Sequence, residues 1–203
     1  VMCGMGRTGT LFACDQFDVA PDICAIAKGL GAGYQPIGAM LCTSKIHDAI
    51  EKGSGFFQHG HTYVGHPVAC AAALAVLERL VDDDVLGRVS PAGELLHTKL
   101  TERLAQHPYV GDIRGVGLFR AIEFVKSRDT KDPWPAETKL HAKLKRAAFD
   151  EGLICYPMGG TLDGVNGDHV LLAPPFILSD EQIEELAAKL ERAITRVFDD
   201  LAA

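Results

Sequence analysis

The apolar residues in the first part of the chain come in short continuous runs. Two such runs occupy residues 23–27 and 36–42, with glycine-rich segments around them. A continuous run, unlike a strict alternation, is typical of a strand whose two faces are both covered. Residues 44–52 have the spacing of a short helix. This part of the sequence therefore predicts buried strands of an α/β domain.

Helical spacing begins at His66. An alanine-rich stretch places its apolar residues on one helix face: Ala69, Ala72, Ala73, Val76, Leu77 and Leu80. A second helix is predicted to follow Pro91, with leucines at 95, 96, 100 and 104 on one face. The His107-Pro108 pair should end this helix, because the residue before a proline avoids the helical region. We expect a domain boundary near this point.

The remaining residues predict a small α+β unit. Its expected elements are, in order, a strand pair over 110–125, a polar loop over 127–135, a helix closed by Gly152, strands over 153–156 and 169–173 separated by the glycine-rich loop 159–167, and a last helix. The last helix has the clearest signal, since Ser179 and Gln182 have the spacing of a capping box before an amphipathic pattern. The predicted domains are residues 1–105 and 106–203.

Composition and charge exclude several classes of protein. The 203 residues are 47% hydrophobic, which is enough for a packed core, and the formal net charge is −7. This acidic balance argues against a nucleic-acid scaffold or a polybasic membrane surface. No run approaches the roughly 18–20 apolar residues of a membrane span, and there is no recognisable signal peptide. We therefore expect a cytoplasmic protein that binds neither nucleic acid nor membrane.

Cysteine and histidine spacing suggests neither a disulfide framework nor a metal site. The six cysteines, at positions 3, 14, 24, 42, 70 and 155, form no CxxC pair. We interpret them as reduced core residues, with a disulfide framework as the alternative. His59, His61 and His66 are close in sequence, but no acidic or cysteine partner completes a zinc pattern. The prediction is no metal, and His61 is a candidate to line a substrate pocket.

Lys28 is the first candidate for chemistry. It follows the apolar run 23–27 and opens the glycine-rich segment 29–34. A lysine at the end of a buried strand is partly desolvated, which favours the free amine, and a free amine can form a Schiff base. The alternative is a surface lysine that opens a loop, which is the usual environment of lysine. The local sequence leaves both readings open.

Three segments become specific when they are taken together. They are Gly4-Met5-Gly6-Arg7-Thr8-Gly9, the stretch 21–39 that contains Lys28, and His59-Gly60-His61-Thr62-Tyr63-Val64-Gly65-His66-Pro67. In this order and spacing they resemble the class III aminotransferases, a family of fold type I that uses pyridoxal 5'-phosphate. The resemblance continues through residues 114–118 and 172–176, so it covers essentially the whole chain.

The resemblance implies a role for two residues and an architecture. Lys28 would hold pyridoxal phosphate as an internal aldimine and then act as the base that carries the substrate proton. Thr62 would contact the cofactor phosphate across a subunit interface, which implies a homodimer with shared active sites. The alternative for Thr62 is a turn threonine bonded to its own backbone. The implied fold is part of a large α/β domain with a mainly parallel sheet, followed by a small α+β C-terminal domain.

The chain departs from the family pattern at two places. Many members carry an arginine that grips a substrate carboxylate three residues before the first proline of the Pro174-Pro175 pair, and this position is Leu171 here. In the family, an Asp-Glu pair directly precedes the valine that matches Val1, and its aspartate binds the pyridine nitrogen. We therefore expect the chain to be the C-terminal half of such an enzyme.

The expected reaction is transamination, from an amine or ω-amino acid to a 2-oxo acid such as pyruvate or 2-oxoglutarate. Two alternatives stay open at this stage. Aminomutases and racemases of the same family begin with the same link to lysine, so the residues do not exclude them. A non-catalytic module is the other alternative, because the chain would lack half of the cofactor site.

Overall fold

The computed structural model of this chain describes residues 1–202 and divides into two compact units. The first unit is Val1–Arg88 and the second is Val89–Ala203. Among the described helices, none combines the length and the apolar character that crossing a membrane would require. The predicted boundary at residues 105/106 stays a prediction. The observed division comes earlier, because Val89, Leu96 and Leu100 of one long helix pack into the core of the second unit.

The first unit is small in regular structure. It contains strands β1 (Ile23–Ala27) and β2 (Gly38–Cys42), helices α1 (Ser44–Lys52) and α2 (Pro67–Asp82), and 3-10 turns at Ala13–Phe17 and Lys28–Gly31. We refer to Lys28–Gly31 as the Lys28 turn. The helix predicted over 44–52 is confirmed with the same bounds, and the alanine-rich helix is confirmed as α2. Proline at the first position of α2 suits a helix start, because its missing N–H would have no intrahelical partner there.

The two strands of the first unit differ from expectation in pairing and burial. β1 and β2 pair antiparallel, with Ile23 opposite Cys42 and Ala27 opposite Gly38. The expected mainly parallel sheet is not confirmed, since every strand pairing among residues 1–202 is antiparallel. Neither strand is buried. A two-stranded sheet has no neighbouring strands and few packed elements to cover it, so its apolar residues remain partly exposed.

The core of the first unit lies beside the Lys28 turn. Met5, Leu30 and Ala73 are its buried residues, and Ile26 and Leu77 pack against them. Ala73 and Leu77 come from α2, whose small residues allow a close approach to the turn. The core therefore joins three distant segments of sequence around the residue that follows β1.

The second unit is an antiparallel sheet with helices. Its elements are α3 (Val85–Leu104), β3 (Val110–Val116), β4 (Phe119–Phe124), a 3-10 turn at Ala136–Thr138, α4 (Leu140–Asp150), β5 (Tyr156–Gly159), β6 (Asp168–Leu172) and α5 (Asp180–Ala202). The strand order is β3-β4-β6-β5. In β4 and β6 buried positions alternate with more exposed ones, so only one face of these strands is fully covered. The second unit thus combines helices with an antiparallel sheet, while the predicted domain over 106–203 stays a prediction.

The helices of the second unit pack against the covered face of the sheet and form one core with it. Leu96, Leu100 and Leu104 of α3 are fully buried, as are Ile183 and Ile194 of α5. The predicted capping box of α5 is present, since Gln182 N donates to Ser179 Oγ at 3.2 Å and Ser179 N donates to Gln182 Oε1 at 2.9 Å. These two bonds satisfy backbone donors that a helix start leaves without partners.

Three details of the sequence prediction are wrong. α3 begins at Val85 and carries Pro91 inside it, so the helix does not start after the proline. The strand predicted over 153–156 begins at Tyr156 instead, where pairing with Leu171 of β6 starts. The cysteines are not fully buried core residues: all six are free thiols, three are exposed and three are partly buried, and of these Cys155 packs against the core of the second unit. The loop over 127–135, the strand pair and the helix closed by Gly152 are confirmed.

Candidate functional site

Lys28 lies where β1 ends and the backbone turns sharply. Ala27 is still extended, whereas Lys28 adopts a φ of +50°. A residue with a side chain rarely adopts this left-handed conformation, which costs free energy relative to the right-handed one. The turn is closed by two hydrogen bonds, from Ala32 N to Gly29 O at 3.1 Å and from Tyr34 N to Gly31 O at 2.8 Å. Lys28 thus occupies a strained and well-defined backbone position.

The side chain of Lys28 is exposed in the described residues. The expectation of a buried strand end with a partly desolvated ammonium is therefore not met in this chain. The cause is the sparse cover of β1, whose residues are exposed or half-buried along its length. Within residues 1–202, Lys28 makes no ion pair and no side-chain hydrogen bond, so its amine is sterically and chemically accessible.

The glycines of the Lys28 turn allow close packing. A Cβ added to Gly29 would lie 2.8 Å from Met5 Cβ, and one added to Gly31 would lie 3.0 Å from Ile37 Cγ2. Real Cβ atoms essentially never approach another heavy atom within 3.0 Å. The sequence itself does not identify Met5 as the residue that Gly29 approaches. The only signal for Met5 was its place between Gly4 and Gly6.

The segment Gly4–Gly9 is a folded turn that carries a partly buried arginine, Arg7. Gly9 N donates to Gly6 O at 2.9 Å, and Thr8 Oγ1 donates to Cys3 O at 3.2 Å. Burial lowers the pKa of Arg7 to about 10. Desolvation disfavours the charged form, which accounts for the direction of this shift.

Thr62 lies in an exposed turn that leads into α2. Val64 N donates to His61 O at 3.1 Å, and His66 N donates to Tyr63 O at 3.2 Å. The Thr62 side chain is exposed and, within residues 1–202, its hydroxyl makes no hydrogen bond. The alternative of a threonine bonded to its own backbone is therefore not observed.

Two histidines around Thr62 have structural contacts. His61 Nδ1 accepts a hydrogen bond from Tyr63 N at 3.2 Å, and His66 Nδ1 accepts one from Ala69 N at 3.4 Å. His66 is the N-cap residue of α2, so its imidazole takes the part usually played by a serine or aspartate oxygen. Each bond uses the Nδ1 atom of its ring, so both histidines stabilise the local backbone.

The described residues bring Lys28 and Thr62 into one unit but not into contact. Both belong to Val1–Arg88, and α2, which follows the Thr62 turn, packs against the Lys28 turn. Within residues 1–202, no hydrogen bond or ion pair joins the two side chains. A shared ligand would have to bridge them, or each residue would serve a different copy of the site.

Leu171 lies on β6 in the second unit, opposite Ala121 of β4 and Tyr156 of β5. It is half-buried and lines a cavity of about 500 Å³ together with Ile154, Tyr156 and Pro174. Burial raises the pKa of Cys155, another lining residue, to about 11, so its thiol is neutral near pH 7. None of these residues is basic, although the charged residues Glu185 and Lys189 also line the cavity.

The chain is similar to known aminotransferases. The sequence matches the family described as Aminotransferase class-III over residues 1–194. An uncharacterized aminotransferase of Schizosaccharomyces pombe is 46% identical over 195 residues, which are 96% of this chain and 42% of that protein. The chain therefore spans less than half the length of this relative.

Solved structures give the same result at the level of the fold. A transaminase from the marine bacterium Virgibacillus has a TM-score of 0.92 at 33% identity, over 99% of this chain and 45% of that chain. An (S)-enantioselective omega-transaminase from Thermomicrobium roseum has a TM-score of 0.88 at 36% identity, over 98% of this chain and 42% of that chain. With the family match over residues 1–194, these similarities show that the chain belongs to the class III aminotransferases.

Proposed function

We propose that this chain forms part of a pyridoxal-phosphate-dependent transaminase. The reaction moves an amino group from an amine or ω-amino acid to a 2-oxo acid such as pyruvate or 2-oxoglutarate. The donor carbon gains a carbonyl oxygen and the acceptor carbon gains the amino group, so the overall exchange needs no external oxidant. The observation that carries the proposal is Lys28, an accessible amine on a strained backbone inside the family's motif.

The donor groups of the first unit fit the cofactor. Lys28 supplies a primary amine, which condenses with an aldehyde and releases water. Thr62 supplies a free hydroxyl, which can donate to a phosphate oxygen. A Cβ added to Gly60 or Gly65 would meet nothing within 4 Å, so the backbone beside Thr62 is open to an anion.

Lys28 then has two tasks in this proposal. Its Nζ would hold the cofactor covalently, and it would become a free amine once the donor's own amine replaces it on the cofactor. The freed amine of Lys28 would take the proton from the donor's amine-bearing carbon and deliver it to the cofactor carbon, so that the donor loses this proton for good. The bound cofactor supplies the electron sink that makes this proton acidic. A fixed backbone at Lys28 favours this proton transfer, because the amine must lie within hydrogen-bond distance of the proton that it takes.

Thr62 suggests a homodimer. In one chain its hydroxyl points to no described partner, and the family's arrangement has it reach the phosphate of a neighbouring subunit. We propose the same exchange here, with two shared active sites in each dimer. The proposal includes a large domain with a mainly parallel sheet in the complete protein, a domain boundary near residue 105, and a cytoplasmic location.

Leu171 suggests the substrate class. An aliphatic side chain cannot pair with a carboxylate, and its neighbours Ile154 and Tyr156 are not basic residues either. We propose that this position favours donors with an apolar substituent there over donors with a carboxylate. Leu171→Arg should raise kcat/KM for ω-amino acids relative to simple amines by about 10-fold, the value of one charged hydrogen bond. An unchanged ratio would place the substrate elsewhere.

The central test is covalent trapping in the full-length protein. Borohydride reduction in the presence of pyridoxal phosphate, followed by peptide mapping, should label Lys28. Lys28→Ala should lose the label and nearly all transfer activity. Lys45→Ala is the matched control, because Lys45 is also exposed, lies in the same unit and approaches Asp22 at 3.8 Å. A label on any other lysine would overturn the assignment.

Product analysis separates transfer from the other reactions that begin at the same lysine. Transfer requires a 2-oxo acid and yields a carbonyl product in equal amount. Racemisation or isomerisation of the donor without an acceptor would instead support an aminomutase or racemase. Failure to bind the cofactor at all would support a non-catalytic module.

A further inference from the structure

We infer that Met5 is a positioning residue for Lys28, and that it acts by fixing the peptide between Lys28 and Gly29. The inference rests on the proposed function, since it assumes that the Lys28 amine is the reacting group. It concerns a residue that does not contact the substrate. Its effect is on the direction in which the lysine side chain leaves the backbone.

Met5 is rigidly held. Its side chain is 2% exposed and forms the buried core of the first unit with Leu30 and Ala73. Its own φ is +54°, a left-handed value that a methionine rarely adopts. Such a conformation persists only where the surrounding packing determines it.

The contact with Gly29 transmits this rigidity to the lysine. A Cβ on Gly29 would lie 2.8 Å from Met5 Cβ, 3.6 Å from Met5 Cγ and 3.6 Å from Met5 O. The space that a Gly29 side chain would need is thus filled by both the side chain and the backbone of Met5. Lys28 and Gly29 share one peptide plane, so this contact limits rotation of that plane.

The Lys28 backbone needs such a support. Its φ of +50° is unfavourable for a residue with a Cβ, and relaxation would rotate the chain at this point. Because lysine is long, a small rotation at Cα displaces Nζ by much more than the backbone itself moves. Met5 prevents this relaxation from the Gly29 side, while Leu30 anchors the other end of the turn in the same core.

The test compares substitutions on the two sides of the contact in the full-length protein. Met5→Ala removes the side chain beyond Cβ, Met5→Leu keeps its bulk, and Gly29→Ala introduces the 2.8 Å clash. Gly4→Ala is the matched glycine control, since its added Cβ would come no closer than 3.9 Å to Leu11 O. Leu77→Ala is the packing control, because Leu77 packs against the same core.

Three measurements report on Lys28 beyond stability. They are kcat and KM for the amine donor, the pH titration of the absorbance of lysine-bound cofactor, and the pH dependence of Lys28 acetylation in cofactor-free protein, followed by mass spectrometry. We expect Met5→Ala and Gly29→Ala to lower kcat by about 10- to 100-fold with little change in KM, as expected for a misplaced reacting group. Both titrations should shift, and Met5→Leu should restore them.

The controls define the contrary result. If Met5→Ala and Leu77→Ala lower the unfolding temperature alike and neither changes kcat or the two titrations, Met5 is only a core residue and the inference is wrong. If Met5→Ala does not fold, Gly29→Ala decides, because it perturbs the same contact with the methionine in place. Failure of the proposed function is distinguishable, since borohydride would then label a lysine other than Lys28 in the unsubstituted protein.

Discussion

Arg120 is a buried cation on β4, and its replacement by methionine should destabilise the second unit. Its side chain is 4% exposed. Nε donates to Gly117 O at 2.8 Å, Nη1 donates to Gly115 O at 2.8 Å, and Nη2 donates to Glu94 Oε1 at 2.7 Å. A Cβ on Gly93 of α3 would lie 2.1 Å from Gly117 O, so the carbonyl is closely packed against the helix.

The magnitude follows from what each partner loses in Arg120→Met. Gly117 is buried, so its carbonyl would be left without a partner or water, at a cost of about 1–3 kcal/mol. Gly115 is exposed and water can replace the guanidinium, so this loss is about 0.5–1 kcal/mol. The Glu94 side chain is 73% exposed, and such ion pairs contribute about 0–1 kcal/mol. The expected loss is therefore about 1.5–5 kcal/mol.

Urea unfolding followed by the fluorescence of Trp134 measures this loss. Trp134 is the only tryptophan of the chain, and its indole donates to Val125 O at 3.1 Å next to β4. With a slope of about 2 kcal/mol per molar urea, the midpoint should fall by about 0.8–2.5 M. Glu94→Gln is the control, with an expected shift below about 0.5 M. Equal shifts in the two variants would refute the reasoning, because the exposed ion pair would then dominate over the buried carbonyl.

Three further predictions concern local features. Ser179→Ala removes half of the α5 capping box and should lower the free energy of unfolding by about 1 kcal/mol, measured in the same urea assay. Burial lowers the pKa of His107 below 6.5, and the nearby Asp199 partly offsets this effect. The stability that neutral His107 contributes is therefore complete above pH 6.5 and is lost as the pH falls through the folded-state pKa. His107→Gln should flatten this pH dependence in unfolding measurements between about pH 5 and 7.5. Burial raises the pKa of Cys155 to about 11, so at pH 8 its alkylation should be at least about 100-fold slower than that of exposed Cys70, and comparable rates in a peptide-mapped iodoacetamide time course would contradict the burial.

The elements that the sequence predicted well are those whose signals are local. The helix over 44–52 and the start of α5 depend on spacing and on a capping box formed by neighbours in sequence. The strand predicted over 153–156 differs from the observed β5, because the apolar run resembles a strand whereas the bounds of β5 are determined by pairing with β6. The predicted start of α3 is too late, because proline is common at the first position of a helix and Pro91 suggests a start there. In the structure, Val89 and Ala92 pack into the core and the helix continues across Pro91. Pairing and packing of this kind are tertiary effects, which override local preference.

The candidate site shows the same difference between local sequence signals and contacts distant in sequence. An ordered set of motifs was enough to select Lys28 and Thr62 and to predict the family. It was not enough to predict the left-handed backbone at Lys28, because a positive φ at a residue with a side chain is imposed by contacts distant in sequence. The Met5 contact with Gly29 is such a contact, across more than twenty residues of chain.

The position of Lys28 within its turn does not explain its positive φ. Left-handed residues are ordinary at the end of a helix, and Asp18 and Ala32 occupy such C-cap positions here. Lys28 is different, because it lies at the entry of its 3-10 turn, where capping does not require a positive φ. A glycine would adopt this backbone without a steric cost, so a lysine at this point makes the turn less stable than it could be. The fold therefore holds an accessible amine at a position where a side chain is unfavourable for stability, which supports a chemical role for that amine.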